Sequence, residues 1–393
     1  MSKKKIEIQI QKLMSPVRED LDTGSPHKRP VPGIALCLSG GGYRAMLFHI
    51  GSLWRLNEAG LLKKLDRISS VSGGSITAAV LGMNWSKLDF DEKGIAREFV
   101  AQVVDPIRML AGITIDISSV VKGLATPNKK ISDQVADFYA TYLFGDATMQ
   151  DLPDSPSFII NSTNVQTGDL WRFTKPHMTD YRVGQVASPH VPLAVAVAAS
   201  SAFPPFLSPM TLKFDDAMWT SKNGKEDLKC PPFTTDVVLT DGGVYDNLGL
   251  EAVWKLHDTI LVSDGGAGMD AERNPWQDWV MHFYRIVNII SNQVGDLRKR
   301  QVVGSFVNKY RKGAYWGIRS DISHFKLKSS LDCPIENTTE LADISTRLEQ
   351  LDSDVQERLI NWGYAACDAA LRKHVKNLRL SRPKGFVYPH AKV

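Results

Sequence analysis

The sequence predicts an α/β fold in which a mostly parallel central sheet is flanked by helices. Two segments carry this prediction, because each runs from a short strand-like stretch through a small-residue turn into a helical pattern. These stretches are residues 33–38 and 67–71. Short apolar runs bounded by turn residues are typical of buried parallel strands. Strand, turn and helix repeated along a chain form the pattern of a parallel α/β sheet.

The later elements are predicted from the same patterns. Helices are expected at 45–59, 76–81 and 194–202, and further strands at 158–161, 236–240 and 259–263. Residues 85–150 show a less regular pattern and are assigned to a candidate cap. From Asn274 onward the pattern is helical and amphipathic, which predicts a C-terminal helical extension.

The composition is that of an ordinary globular chain. Of the 393 residues, 43% are hydrophobic and 23% are charged, which excludes the disordered, collagen-like and disulfide-scaffold classes. The 47 basic and 43 acidic side chains give a net charge of +4, so no nucleic-acid partner is expected. Four cysteines without a C-x-x-C pair predict reduced thiols. We find neither a transmembrane-length apolar stretch nor the apolar core of a signal peptide, and we expect a cytoplasmic protein.

Three consecutive glycines, Gly40-Gly41-Gly42, follow the first strand and precede a helix. Backbone N–H groups at such a helix N-terminus bind anions. A P-loop is excluded because no Gly-Lys-[Ser/Thr] follows. A dinucleotide fingerprint matches formally as Gly40-x-Gly42-x-x-Ala45, although the next strand ends in Ser72 instead of an acidic residue. The third interpretation is an oxyanion hole, which requires a nucleophile nearby. Arg44 either adds positive charge at this turn or lies on a helix surface.

A second turn, Ser70-Val71-Ser72-Gly73-Gly74, closes the second strand and opens a helix. The nucleophile elbow places a serine on this kind of sharp turn, usually as G-x-S-x-G. Here Ser70 replaces the first glycine, which is one small residue for another. Ser72 is therefore a candidate nucleophile, and a serine-glycine turn without chemistry is the equal alternative.

A nucleophilic serine needs a base. Two segments offer one, Asp241-Gly242-Gly243 and Asp264-Gly265-Gly266, and each follows an apolar stretch. Each aspartate is expected to project from a strand end on the same sheet edge as Ser72, and spacing does not choose between them. No histidine stands where a triad would demand it, and His49 is better placed to pack than to reach Ser72.

Taken together, these motifs resemble the patatin-like phospholipase family. The resemblance rests on Ser39-Gly40-Gly41-Gly42-Tyr43-Arg44, then Ser70-Val71-Ser72-Gly73-Gly74, then Asp241-Gly242-Gly243, which occur in the family's order. Residues 198–206, a small-residue helix with a proline turn, and residues 161–168, a strand and turn, also look like family segments. The resemblance covers roughly residues 33–270.

The resemblance implies a three-layer α/β/α fold and a serine–aspartate dyad without histidine. It assigns Ser72 as the nucleophile and Asp241 as the base. The oxyanion hole is expected from Gly40, Gly41 and Gly42, with the last two as N–H donors and Arg44 nearby. Motif support comes from Ser70, Gly73, Gly74, Gly242 and Gly243. Three residues depart from the family pattern: Ser39 and Ser70 replace an aspartate and a glycine, and Ala45 replaces the glycine after the arginine.

The implied function is hydrolysis of glycerophospholipid esters at a membrane surface, without metal or cofactor and with peripheral membrane association. The apolar residues 107–121 and the basic run Arg298-Lys299-Arg300, extended by Lys309, Arg311 and Lys312, are candidate contact surfaces. For the basic run, a solvated helix face is the commoner case, and a membrane contact would rest on attraction to anionic lipids. For residues 107–121 a core or cap role is the commoner case.

The predicted organisation is a charged arm at 1–30, a catalytic domain at 31–270 and the helical extension at 271–393. The alternative function is a non-catalytic lipid- or nucleotide-binding module, or a signal-regulated effector phospholipase of bacterial defence. A homo-oligomer and a small-molecule activator are open partner hypotheses.

Overall fold

The computed structural model describes residues 30–115, 130–222, 224, 226–266, 268–269, 271–376 and 380–393. The predicted arm at 1–29 and residues 116–121 of the apolar segment therefore lie outside the described residues. The same holds for residues 267 and 270, just beyond the second Asp-Gly-Gly turn.

The described residues form one eleven-stranded sheet and ten α-helices. The strands are β1 (Val31–Leu38), β2 (Arg67–Val71), β3 (Ser157–Asn164), β4 (Leu170–Phe173), β5 (His177–Asp180), β6 (Gly184–Ala187), β7 (Met210–Lys213), β8 (Trp219–Thr220), β9 (Asp236–Asp241), β10 (His257–Asp264) and β11 (Lys312–Gly317). The helices are α1 (Gly42–Glu58), α2 (Gly73–Met83), α3 (Asp105–Ala111), α4 (Ile131–Tyr139), α5 (Leu193–Ser200), α6 (Gly243–Asp246), α7 (Glu251–Trp254), α8 (Trp279–Val307), α9 (Ile335–Asp343) and α10 (Ser353–His374).

The centre of the sheet is parallel, in the order β11-β10-β1-β2-β3. Beyond β3 the strands β4, β5, β6 and β8 continue the sheet in antiparallel pairing. The strands and helices predicted from the sequence are confirmed, and α1 begins three residues earlier than expected. The antiparallel strands were not predicted, because they are only two to four residues long and carry no glycine-rich turn.

Helices cover both faces of the sheet, which confirms the α/β/α prediction. Residues of β1 alternate between the two faces, as the period of two in a strand requires. Leu36 and Leu38 belong to the larger buried cluster, which contains residues of α1, α2, α5 and α10. Ala35 and Cys37 belong to the smaller cluster, together with residues of α7 and Val302 of α8.

The C-terminal part of the chain is joined to the same sheet. The prediction of an entirely helical pattern after residue 274 is wrong at β11, which pairs in parallel with β10. On the face of the sheet covered by the larger buried cluster, α10 packs closely against α1. A Cβ added at Gly51 of α1 or at Gly363 of α10 would collide with the backbone of the other helix. Close contact at glycines buries both helices and fixes α10 against the helix that follows the glycine turn.

The apolar segment at 107–121 is a core element wherever it is described. Ile107, Leu110 and Ile115 are buried, and Met109 is the exposed large apolar side chain. The described part of this segment therefore packs mostly inward, which favours the core or cap role for residues 107–115. In the described part of the chain, no helix combines the length and hydropathy that a bilayer span requires.

Candidate active site

Ser72 sits on a sharp turn between β2 and α2. Its backbone has φ +50° and ψ −120°, a conformation that a residue with a side chain rarely adopts. Backbone strain of this kind costs on the order of 1–3 kcal/mol and persists only where the surroundings hold it. The turn leaves Ser72 partly exposed, whereas Val71, Gly73 and Gly74 are buried. This is the geometry expected of a nucleophile elbow.

Asp241 lies close to Ser72, but the arrangement differs from the predicted one, in which two parallel strands end at the same edge of the sheet. Strand β9 runs antiparallel to β3, and it lies on the same side of β3 as β2 does. In register, Val71 pairs with Asn161 of β3 and Asp241 pairs with Ser162, the next residue. The carboxyl ends of β2 and β9 therefore point toward each other, and the residue after Val71 meets the last residue of β9.

The carboxyl of Asp241 is only 2% exposed, and this burial raises its pKa to about 7. Two neighbours oppose the shift. The Gly243 N–H donates to Oδ1 at 2.6 Å, and the nearby Ser72 side chain also lowers the pKa of the carboxyl. Asp241 thus places a carboxyl group with a pKa near neutral pH beside the serine hydroxyl, which suits a general base.

Asp264, in the second Asp-Gly-Gly turn, has a different environment. Burial acts to raise its pKa, but the Lys299 ammonium at 3.2 Å and the Tyr315 hydroxyl at 2.7 Å outweigh it, and the pKa lies below its usual range. Asp264 is thus held ionised by an ion pair with α8. The two turns look alike in sequence, and their charge partners distinguish them.

The glycine turn lies directly beside Ser72. A Cβ added at Gly40 would come within 3.1 Å of the Ser72 Cβ. The Gly40 N–H is already used, since it donates to the Asn247 carbonyl at 3.0 Å, which removes Gly40 from the expected donors. For Gly41 and Gly42, with φ +143° and +63°, no acceptor lies within the described residues. These two N–H groups at the start of α1 remain to hold an anion.

The next N–H of the turn has a partner from the C-terminal region. Tyr43 donates its backbone N–H to the Arg347 carbonyl at 3.1 Å, and a Cβ on Gly42 would meet the same carbonyl. We call residues 344–351 the overlying segment. A pyrophosphate lying on this helix N-terminus would compete with the Arg347 carbonyl, which disfavours the dinucleotide interpretation.

Arg44 is not the helix-surface residue that one of its two interpretations expected, since the side chain is 1% exposed. Its guanidinium donates to the carbonyls of Gly265, Ala342 and Ile344 and to the Thr346 hydroxyl. Burial lowers its pKa to about 10. Arg44 therefore ties the overlying segment and the Asp264 turn to α1, and these contacts occupy its donors.

Residues 200–202, at the end of α5, hold both members of the Ser72–Asp241 pair. The Ser200 Oγ accepts the Ser72 N–H at 3.0 Å and donates to the Asn161 carbonyl. The Ser200 carbonyl accepts the Gly242 N–H, and the Ala202 carbonyl accepts the Asp241 N–H at 3.0 Å. No sequence pattern singles out Ser200, although it lies in the small-residue segment that resembles the family.

Ser70 also has a use that glycine could not serve. Its hydroxyl donates to the Ile159 carbonyl and accepts from the Ser75 hydroxyl, which in turn contacts Ser200. Because serine stands here in place of the family's glycine, the Ser70 hydroxyl adds hydrogen bonds that hold the Ser72 turn from the protein interior.

His49 is a buried structural residue, as expected. Its Nε2 lies 2.9 Å from the Ser39 carbonyl and its Nδ1 lies 2.8 Å from the Ser263 hydroxyl. Burial lowers the pKa of His49 to about 4, so the ring is neutral at physiological pH. Both ring nitrogens are committed, which leaves none for Ser72.

Three of the six cations in the basic run on and after α8 are paired with nearby acids. Arg298 pairs with Glu251 at 2.8 Å, Lys299 pairs with Asp264, and Lys312 pairs with Asp258 at 3.1 Å. Arg311 lies over the Trp254 ring and donates to the His257 carbonyl. These contacts favour the helix-face interpretation over a cationic membrane patch.

Comparison with known proteins gives a family match and structural matches. Residues 36–254 match the family model described as patatin-like phospholipase. Human GIVD cytosolic phospholipase A2 in complex with methyl gamma-linolenyl fluorophosphonate superposes with a TM-score of 0.52 at 13% sequence identity. That match covers 95% of this chain and 62% of the human chain.

A second structure of the human enzyme, with the same inhibitor and terbium chloride, gives a TM-score of 0.51 at 15% identity. It covers 89% of this chain and 59% of that chain. This chain thus spans about three fifths of the human protein, and at these identities the structural likeness concerns the fold.

Proposed function

The chain belongs to the patatin-like phospholipase family, and from this premise we propose that it hydrolyses the acyl esters of glycerophospholipids with Ser72 as nucleophile and Asp241 as base. One observation carries the proposal. A strained, partly exposed serine lies against a buried carboxyl whose pKa is about 7. Asp264, the alternative base, is instead held in an ion pair with Lys299.

The first step forms an acyl-enzyme. The Ser72 Oγ attacks the ester carbonyl carbon while its proton passes to the Asp241 carboxylate, and the carbonyl oxygen gains the negative charge. Collapse of the tetrahedral intermediate expels the alcohol, a lysophospholipid, which takes the proton back from Asp241. In the second step Asp241 accepts a proton from water as the water oxygen attacks the acyl carbonyl carbon; collapse of the second tetrahedral intermediate releases the fatty acid, and the Ser72 Oγ takes the proton back from Asp241.

The N–H groups of Gly41 and Gly42 are proposed to stabilise the charged oxygen in both steps. They lie in the same turn as Gly40, which borders the Ser72 Cβ, and the positive end of the α1 dipole adds to their effect. Removing one such donor typically costs about a hundredfold or more in rate. Crowding explains why glycine is needed here, because a Cβ on Gly41 would lie 2.8 Å from the Gly265 carbonyl oxygen.

The lipid class is supported by the family and by the human structural neighbour, which is a cytosolic phospholipase A2 bound to a linolenyl fluorophosphonate. A long-chain acyl mimic bound by a protein of the same fold supports a fatty-acyl ester for this chain as well. Work at a lipid surface would require peripheral membrane association.

Product analysis on defined phospholipids tests the proposal. Wild-type protein should release fatty acid from mixed liposomes, and Ser72→Ala and Asp241→Asn should each abolish the release while retaining the wild-type fold by circular dichroism. Asp264→Asn is the matched control, because it makes the same chemical change in the same sequence motif; it should lose stability and keep activity per folded molecule. Equal release by wild type, Ser72→Ala and Asp241→Asn would show that the Ser72–Asp241 assignment is wrong, whereas lipid binding by a wild type that releases no fatty acid would favour the non-catalytic binding module.

A further inference from the structure

Helix α8 exposes an unusual number of large apolar side chains. Among the described residues, twelve of the twenty-two exposed large hydrophobic side chains lie between Trp276 and Tyr310. Within the 29 residues of α8, only Val302 and Ser305 are buried. A helix that is apolar over most of its surface is normally buried against a partner.

The N-terminal part of α8 projects away from the body of the protein. Near its C-terminal end, Arg311 donates to the carbonyl of His257, the first residue of β10. Twelve residues earlier in the chain, Lys299 pairs with Asp264, the last residue of β10. The helix thus runs antiparallel to β10, and the stretch from Trp279 to Lys299 extends about 30 Å past the carboxyl edge of the sheet.

Five of the exposed apolar residues on this projection share one face of the helix, which we call the seam, and Val280, Met281 and Ile289 are exposed beside it. Its members are Trp279, Phe283, Ile286, Ile290 and Leu297, whose exposed fractions are 81%, 64%, 38%, 58% and 59%. Their spacing alternates between four and three residues, with Gln293 at the one polar position. This is the a and d spacing of a heptad repeat, in which the stripe faces another helix.

We propose that residues 279–297 of α8 pair with the same residues of a second copy of this chain, in antiparallel orientation, to form a dimer. One register matches every seam position to another. In it Trp279 faces Leu297 of the second copy, Phe283 faces Gln293, and Ile286 faces Ile290. Because the pairing is symmetric, each contact occurs twice and the interface closes on itself.

Charge decides between the two orientations. Asp278 lies at the N-terminal end of the seam, and Arg298, Lys299 and Arg300 lie at its C-terminal end. Arg298 and Lys299 are paired with Glu251 and Asp264, which leaves Arg300 as the exposed cation of the three. Antiparallel pairing places Arg300 of the second copy beside Trp276, two residues from Asp278, whereas parallel pairing would bring Arg300 against its own copy, which is unfavourable.

The area available is near what a stable dimer requires. Trp and Phe side chains each bury about 150–250 Å² when covered. With three aliphatic side chains added on each helix, the two seams together cover on the order of 1,000 Å², about the lower limit of a specific interface. A lipid surface fits the helix less well, because residues 279–297 carry one cation, Arg285, which pairs with Glu272 at 3.3 Å.

Light scattering on the full chain after size-exclusion chromatography tests the dimer. The wild type should give twice the chain mass of 43.6 kDa. Phe283→Glu should be monomeric, with the affinity of the two copies lowered on the order of a hundredfold or more because a charge enters the apolar seam. Met281→Glu is the matched control, since it makes the same kind of change on the same exposed turn but off the seam, and it should remain dimeric.

A monomeric wild type, or a Phe283→Glu variant that stays dimeric, would overturn the proposal. If the wild type is monomeric and floats with vesicles of zwitterionic and anionic phospholipid, and Phe283→Glu does not float, the seam contacts lipid and the dimer is wrong. Cysteine cross-linking in a Cys230→Ser background tests the orientation. The Trp279→Cys, Leu297→Cys double variant should form a linked dimer and Trp279→Cys alone should not; efficient linking by Trp279→Cys alone would contradict the antiparallel register.

Discussion

The backbone N–H of Ser72 donates to the hydroxyl of Ser200, 128 residues away, across a distance of 3.0 Å. Ser200 passes the interaction on, because its own hydroxyl donates to the Asn161 carbonyl at 2.6 Å. These two hydrogen bonds hold the strained backbone of Ser72 in place from the protein interior. It links the small-residue helix α5 to the chemistry proposed at the elbow.

Ser200→Ala should therefore lower kcat while the KM for a short ester changes little. The change leaves the Ser72 N–H and the Asn161 carbonyl without this partner, at a cost of about 1–3 kcal/mol. Ser201→Ala is the control, since the Ser201 hydroxyl donates to the Val197 carbonyl of its own helix. Ester kinetics and thermal unfolding of both variants check the prediction, and equal kcat in both would argue against positioning by Ser200.

The activity should depend on the ionisation of Asp241. Because the carboxylate form accepts the serine proton, kcat/KM for a soluble nitrophenyl ester should rise with pH up to about 7 and level off above it. His49 cannot supply this inflection, since its pKa is about 4. Asp264→Asn should show the same inflection as wild type. A profile without any inflection between pH 5 and 9 would count against Asp241 as the base.

Stability should respond to the two aspartates with opposite signs. The folded-state pKa of Asp241 is raised from 3.8 to about 7, so the stability linked to its proton is present below pH 3.8 and lost as the pH rises to about 7. Asp241→Asn should therefore raise Tm at pH 8, by an amount equivalent to about 1.4 kcal/mol for each pKa unit removed.

The pKa of Asp264 is lowered, so its ionised form stabilises the fold above pH 3.8 and this contribution is lost in acid. Asp264→Asn should therefore lower Tm at pH 8. Calorimetry of the two variants between pH 4 and 8 compares the signs directly. A lower Tm for Asp241→Asn at pH 8 would show that its burial is not the dominant influence.

Arg44 should act on stability through the overlying segment. Arg44→Lys keeps the charge but cannot reach the same carbonyls, and it should cost at least about 1.5–3 kcal/mol. The exposed Arg347 in this segment gives trypsin a site, so cleavage there should become faster. An oxyanion donor at Arg44 predicts the reverse, namely a lower kcat with unchanged protease resistance.

Local patterns in the sequence predicted the elements that carry Ser72 and Asp241, since each lies on a short motif at a strand end. The direction of β9 was not predicted, because residues 236–240 form the same kind of short apolar run as the parallel strands. The head-to-head meeting of β2 and β9 depends on the register of both strands with β3. It replaces the simple expectation that two strand ends share an edge.

The roles of Asp264 and Arg44 depended on distant residues. Lys299 separates the two Asp-Gly-Gly motifs and lies on another element. The partners of Arg44 at Ala342, Ile344 and Thr346 are about 300 residues further along the chain. A motif can indicate which residue types converge, whereas the contacts that set a pKa or occupy a guanidinium appear only in three dimensions.

Covalent labelling tests the central claim, a Ser72 nucleophile activated by Asp241, most directly. Intact mass and peptide mapping after treatment with a long-chain alkyl fluorophosphonate should show one adduct, on Ser72. Asp241→Asn should label about a hundredfold or more slowly, and Ser72→Ala should not label at the elbow at all. Labelling of Ser72→Ala at the wild-type rate, or an adduct on another residue of the wild type, would contradict the account.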